Sequence, residues 1–168
     1  MVGLCLKRLD EKRATFEMSD PWKWDLRYLD LASKVASWSK DPSSKVGAVI
    51  VNQNNQVVSL GYNGFPKGVD DDPARYADRE TKLKFVCHAE RNAMDNAPVD
   101  LTGSTIYSTF FPCNECCKSI ISRGIKHIVT HAVDKNSPKI KAFNMDVTRQ
   151  MCKEAEVSIF EFVAPQQN

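Results

Sequence analysis

The chain has 168 residues, 42% of them hydrophobic, which suits one domain with a core of its own. Its net charge of +2 comes from basic residues scattered along the chain, which weighs against an electrostatic footprint for nucleic acid. No apolar run reaches about eighteen residues, and Met1 to Glu17 lacks the apolar stretch of a signal peptide, so no membrane span is expected and a cytoplasmic protein is.

In chain order, residues 1–19 read as an N-terminal extension that contributes little to folding. Met18-Ser19-Asp20-Pro21 reads as a fresh start, with Ser19 or Asp20 as helix N-cap and Pro21 in the first turn. The domain proper spans 20–164, and 165–168 form a tail. Trp24, Tyr28, Leu31, Val35 and Trp38 recur at helical steps, predicting a helix from Pro21 to Ser39 that packs this aromatic stripe on a sheet. Asp41-Pro42-Ser43-Ser44 breaks it. Val46–Val51 and Val57–Tyr62 read as the strands of a hairpin around the turn cluster Asn52–Asn55. A Gly/Pro/Asp loop follows, then a polar helix between Pro73 and Lys84. His88 opens the next helix, which Pro98 ends. Thr105–Ser108 is a buried strand, Cys113–Arg123 a helix stopped by Gly124, and Ile125–His131 another strand. Asp134–Lys141 reads as a polar loop. Phe143, Val147, Met151 and Ala155 define the last helix, and Val157–Val163 the last strand. The order α-β-β-α-β-α-β-α-β implies an α/β fold, a three-layer α-β-α arrangement around a mixed five-stranded sheet whose last strands are parallel.

Six cysteines occur: Cys5, Cys87, Cys113, Cys116, Cys117 and Cys152. Without a secretion signal they read as thiols and metal ligands rather than disulfides. His88 and the pair Cys113 and Cys116 stand out. Residues three apart at the start of a helix share a face, so both sulfurs can reach one ion, and the helix N-terminus favours thiolates. Three protein ligands leave an open fourth position, the mark of a catalytic zinc site, and Glu90 stands where it can move protons beside the metal. Cys117 points away from the Cys113–Cys116 face, and both it and Cys87 read as bystanders. A closed four-ligand site using Cys87 or Cys117 is the competing arrangement, and it leaves Glu90 without a task. His127 and His131 flank a strand and read as strand-end residues, with His131 in reach of a peripheral substrate contact. Cys5 and Cys152 have no spacing to other ligands.

His88-Ala89-Glu90 with Pro112-Cys113-Asn114-Glu115-Cys116 is the H-x-E…P-C-x-x-C pattern of zinc deaminases and resembles the cytidine deaminase superfamily. Lys40-Asp41-Pro42-Ser43-Ser44-Lys45-Val46-Gly47-Ala48, Gly61-Tyr62-Asn63-Gly64-Phe65-Pro66-Lys67-Gly68 and His88-Ala89-Glu90-Arg91-Asn92-Ala93 narrow the resemblance to deoxycytidylate (dCMP) deaminases, from about Trp24 to Val129.

The resemblance implies the reaction of dCMP with water to give dUMP and ammonia. It implies Zn2+ held by His88, Cys113 and Cys116, which makes hydroxide available near neutrality. Glu90 would accept the proton released, pass it to ring N3, and deliver a second to the departing amino group. The Ala89 N–H would meet the base carbonyl and Asn63 would hold the nucleotide. Asn92, two residues after Glu90, reads either as a polar helix residue or as one that lines the pocket or braces the loop. Lys45, beside Val46 in the matching segment, leads Lys67 and Lys135 as the phosphate contact. The family also implies a homo-oligomer, with a hexamer favoured. It implies dCTP and dTTP as effectors at Gly61, Tyr62, Asn63, Gly64 and Gly68. Asp70-Asp71-Asp72, next along, reads first as an exposed acidic loop and second as a seat for Mg2+ accompanying a triphosphate. The stretch after Val129 departs from the pattern: His131-Ala132-Val133-Asp134-Lys135 lacks the aromatic that several relatives carry there to cover the substrate. Competing readings are a deaminase of another cytosine derivative, a tRNA-editing deaminase, and an idle zinc-binding assembly module.

Overall fold

A computed structural model describes residues 21–163. The expectations for the N-terminal extension, its Ser19 or Asp20 cap, Cys5 and the 165–168 tail lie outside the described residues. The elements run α1 (Lys23–Ala36), β1 (Gly47–Val51), β2 (Val57–Tyr62), α2 (Pro73–Ala77), α3 (Arg79–Phe85), α4 (Ala89–Asp95), β3 (Thr105–Ser108), α5 (Asn114–Ser122), β4 (His127–His131), α6 (Lys139–Ala142), α7 (Met145–Glu154) and β5 (Ser158–Phe162). No helix among the described residues is long and apolar enough to cross a membrane.

The five strands form one mixed sheet in the order β2-β1-β3-β4-β5. β1 pairs antiparallel with both β2 and β3, while β3–β4 and β4–β5 are parallel, as crossovers through helices require. Strand side chains alternate between faces. Val49, Val51, Tyr107 and Val129 meet α1 on one face, and Ala48, Ile50, Ile106 and Ile128 meet residues of α4, α5 and α7 on the other.

The first helix departs from its expected face. Its buried residues are Tyr28, Leu29, Ala32, Val35 and Ala36, whereas Trp24 and Trp38 are about half exposed and Leu31 is also exposed. Close approach decides this. A Cβ on Gly47 of β1 would stand 2.1 Å from the Ala32 carbonyl oxygen, so small residues must face the sheet. Trp24 instead stacks on Tyr28 under the Arg27 guanidinium, and Trp38 meets Tyr62 edge-on. The helix also begins two residues later than Pro21. Trp22 is the N-cap and packs its ring on Phe160 and Phe162 of β5, which fixes where the chain enters.

The polar helix before His88 is two helices. Asp72 caps the first through Ala74 N, and Asp78 caps the second through Thr81 N. The loop expected at 134–141 contains the short helix α6.

Gly61, which the family resemblance assigns to an effector loop, lies inside β2 against α4. A Cβ there would come within 2.3 Å of Ala93 N and 2.6 Å of Ala89 O, both backbone. Because that helix carries Glu90, Gly61→Ala should push it off the sheet. We expect a loss of about 2–3 kcal/mol, read as a melting temperature lower by roughly 5–10 °C. An unchanged thermal melt would mean that the helix can slide at no cost.

Candidate metal centre and active site

Two helix starts face each other. His88 is the N-cap of α4 and Cys113 the N-cap of α5, both with extended backbone, and Cys116 lies in the first turn of α5. The N–H groups at such ends have no helical partner and attract negative charge. The chain between α3 and α4 is held by a two-residue bridge, Cys87 N to Gly64 O (2.8 Å) and Gly64 N to Cys87 O (3.1 Å).

His88 Nδ1 lies 3.4 Å from Cys113 Sγ and 3.4 Å from Cys116 Sγ, and the three atoms are all within 4.8 Å of one another. Zn–S bonds of about 2.3 Å and a Zn–N bond of about 2.0 Å at a tetrahedral angle require S···N edges of about 3.5 Å, so the donor set fits zinc. This is the cluster of three metal-competent groups among the described residues. The protonation pattern agrees. The Cys116 thiol beside it pulls the Cys113 thiol far below its usual range, against burial and with help from His88. Cys116 is pushed up by the same contact and by burial, and His88 is raised by its contact with Cys113. Protein alone thus shares protons among three close donors, which a divalent cation would displace.

Glu90, in the first turn of α4, is buried beside this cluster. Its Oε1 accepts from Ser108 Oγ at 3.0 Å, and the Cys116 thiol contacts Oε2 at 3.7 Å. Burial raises its carboxyl above the usual range, more than the His88 charge and the Ser108 hydroxyl lower it. A carboxyl so held takes up a proton more readily than an exposed one. Ser108 was invisible as a site residue in the sequence; its one signal was a hydroxyl ending an otherwise buried strand. Ala89 is the first residue of α4, so its N–H is among those the helix leaves free.

The residues named from the sequence divide. Cys87 stays outside the cluster. Cys117 lies against Cys152 with sulfurs 3.4 Å apart, and both are buried and free. Asn63 is buried and fully engaged. Its Oδ1 accepts from Val46 N at 2.8 Å, and its Nδ2 donates to Ser44 O at 2.8 Å and to Asp41 Oδ2 at 3.4 Å. It therefore braces the 41–46 loop in this conformation. Asn92 Nδ2 donates to Tyr62 O at 2.8 Å, a brace on the end of β2. Lys45, Lys67 and Lys135 are exposed. Asp70, Asp71 and Asp72 do not converge: Asp71 takes Lys40 Nζ and the Tyr76 hydroxyl, Asp72 caps α2, and the Asp70 carbonyl takes Arg75. Gly68 needs its glycine, with φ +87°.

Beyond Ser108 the chain enters a cleft of about 270 Å³ lined by Thr109, Phe110, His131, Ser137 and Lys139 among others. Phe110 packs edge-on against Phe143 with the Lys139 ammonium 5.2 Å from its ring centre. Phe110 thus brings an aromatic ring to this cleft from just beyond β3. His131 Nδ1 lies 3.2 Å from Thr109 O, and burial lowers its basicity. A neutral ring that donates through Nδ1 leaves Nε2 as an acceptor. His127 is an exposed residue at the start of β4.

Residues 22–132 match the family model described as the cytidine and deoxycytidylate deaminase zinc-binding region. The human deoxycytidylate deaminase is 42% identical over 137 residues, covering 75% of this chain and 77% of that one. A deaminase of Aliivibrio fischeri, described as uncharacterized, is 47% identical over 106 residues, 63% of this chain and 71% of that one. Among solved structures, dCMP deaminase from the cyanophage S-TIM5 in complex with dCMP and dUMP superposes with a TM-score of 0.63 at 25% identity, covering 82% of this chain and 96% of that one.

Proposed function

The chain belongs to the cytidine and deoxycytidylate deaminase family, and on that premise we propose that it is a zinc-dependent enzyme that hydrolyses dCMP to dUMP and ammonia. The observation that carries the chemistry is the buried Glu90 carboxyl against the His88–Cys113–Cys116 cluster. The 42% identity with human deoxycytidylate deaminase supports dCMP as substrate.

His88 Nδ1, Cys113 Sγ and Cys116 Sγ would hold Zn2+, which would supply hydroxide near neutrality. Glu90 would take a proton from the attacking water and give it to ring N3. It then carries a second proton to the amino group as ammonia leaves. Ser108 holds one Glu90 oxygen and leaves the other for the proton. The Ala89 N–H meets the base carbonyl. Asn63 and Val46 build the wall beside the nucleotide, and Lys45, exposed next to Val46, is the candidate phosphate contact.

Family likeness supports three further readings. The chain works in the cytoplasm and assembles as a homo-oligomer, with a hexamer favoured. dCTP and dTTP act as effectors through the Gly61–Gly68 segment. A Mg2+ brought by a triphosphate would have to displace Lys40 or the α2 cap from the 70–72 carboxylates.

Ammonia release from dCMP, CMP, deoxycytidine, cytosine and tRNA tests the reading. Turnover should be greatest with dCMP, by at least about tenfold over deoxycytidine, because a charged phosphate contact is worth more than one such factor. Preference for another member of the panel would reassign the substrate. No turnover on any of them with zinc bound would favour an idle assembly module.

A further inference from the structure

Beside this site lies a buried ion pair that the chemistry above does not use. Lys82 sits in α3, a helix with no buried residue. Its ammonium nevertheless turns inward, to Asp41 Oδ1 (3.2 Å) and Oδ2 (3.1 Å) and to Ser43 Oγ (2.6 Å). Side-chain exposure is 11% for Lys82 and 3% for Asp41, whereas the Lys40–Asp71, Lys84–Glu80, Arg91–Asp95, Lys118–Glu115 and Arg149–Glu161 pairs each have a partner at least 37% exposed. Burial works to raise the Asp41 carboxyl, but the Ser43 N–H, the Lys82 ammonium, the Ser43 hydroxyl and the Ser44 N–H together hold it below its ordinary range. Asp41 is therefore held as a carboxylate. Burying two charges needs this many partners, so the residues that assemble them are closely tied.

The pair closes a chain of contacts. Asp41 Oδ1 accepts from Ser43 N and Ser44 N, and Oδ2 accepts from Asn63 Nδ2. Asn63 holds Val46 N. Both ends of this chain run into the site. From α3 the backbone passes through Val86 and Cys87 to His88. From Val46 it passes to Gly47, whose N–H donates to Thr109 Oγ1 and whose carbonyl takes Thr109 N–H. Thr109 follows Ser108, the partner of Glu90.

We propose that Lys82 is a positioning residue for nucleotide binding: its pairing with Asp41 ties the 41–46 loop and Asn63 to the arm that carries His88, so the nucleotide meets a preformed wall. This rests on reading the site as a nucleotide deaminase. Without Lys82, Asp41 keeps its turn through Ser43 N and Ser44 N, but the tie to α3 is lost. A wall that must order on binding weakens affinity without altering the reacting groups.

Steady-state kinetics with dCMP on zinc-loaded, full-length Lys82→Met and Lys82→Arg test this. In Lys82→Met, KM should rise about tenfold or more, with kcat within about threefold and zinc at wild-type occupancy; Lys82→Arg should bring KM back to within about threefold. An unchanged KM, or a fall in kcat that accompanies lost zinc, overturns the assignment. If Lys82→Met does not yield folded protein, Ser43→Ala decides, since it removes the shortest Lys82 contact and keeps both charges. A KM raised about threefold supports the role and an unchanged KM ends it. Wild-type enzyme run alongside separates the two readings. A wild type inert toward dCMP defeats the functional reading and this inference with it, whereas an active wild type with insensitive variants defeats this inference alone.

Discussion

Glu90→Gln should leave a folded, zinc-loaded protein whose kcat is lower by about 10²- to 10⁴-fold. Gln has the shape of Glu and can still accept from the Ser108 hydroxyl that meets Oε1 at 3.0 Å. What it lacks is a proton-carrying oxygen. Glu90 is the carboxylate that contacts the metal-competent cluster, and the reaction needs two proton transfers to the base. Its raised basicity comes chiefly from burial, which also means that an ionised Glu90 is costly to the fold. The variant should therefore melt at or above the wild-type temperature, as expected where a site is held at some expense of stability. Ammonia release, metal analysis and a thermal melt measure the three parts separately. Activity within about tenfold of wild type would assign the proton transfers elsewhere.

The contrast between Glu90 and Ser108 illustrates what a sequence can carry. Glu90, His88, Cys113 and Cys116 are legible because metal chemistry demands particular atoms, and helical spacing delivers them from short segments. The choice of Nδ1 on His88 is not legible, since it follows from how two helix starts face each other. Ser108 reaches Glu90 across elements 18 residues apart, a pairing no local pattern encodes. The hairpin and the buried strands were readable from β-branched runs between turn clusters. The buried face of α1 was not. Trp24, Leu31 and Trp38 fit a helical period as well as Leu29, Ala32 and Ala36 do, and only the backbone approach at Gly47 selects the small residues. Asn63 shows a third case. Its Tyr-Asn-Gly setting marks it as special, but its three bonds to the 41–46 loop come from tertiary contact.

Cys113→Ser and Cys116→Ser should each abolish stable zinc binding and deamination, whereas Cys87→Ser and Cys117→Ser should keep both. Cys113 and Cys116 bring their sulfurs to within 3.4 Å of His88 Nδ1. Cys117 instead spends its sulfur on Thr148 O and Cys152, and Cys87 spends its backbone on Gly64. Zn2+ held by these residues would join the starts of α4 and α5, so its loss would also be a loss of stability. With free zinc about 1,000-fold above its dissociation constant, binding contributes about 4 kcal/mol. Chelation should then lower the melting temperature by roughly 8–16 °C, and added zinc should restore both melt and activity. Zinc loading should release protons in a weakly buffered titration, because the raised Cys116 and His88 groups must give theirs up. The same linkage weakens zinc binding as pH falls. A Cys117→Ser protein that loses zinc would require a closed four-ligand site. Such a site has no open position for water and would leave Glu90 without a proton to move.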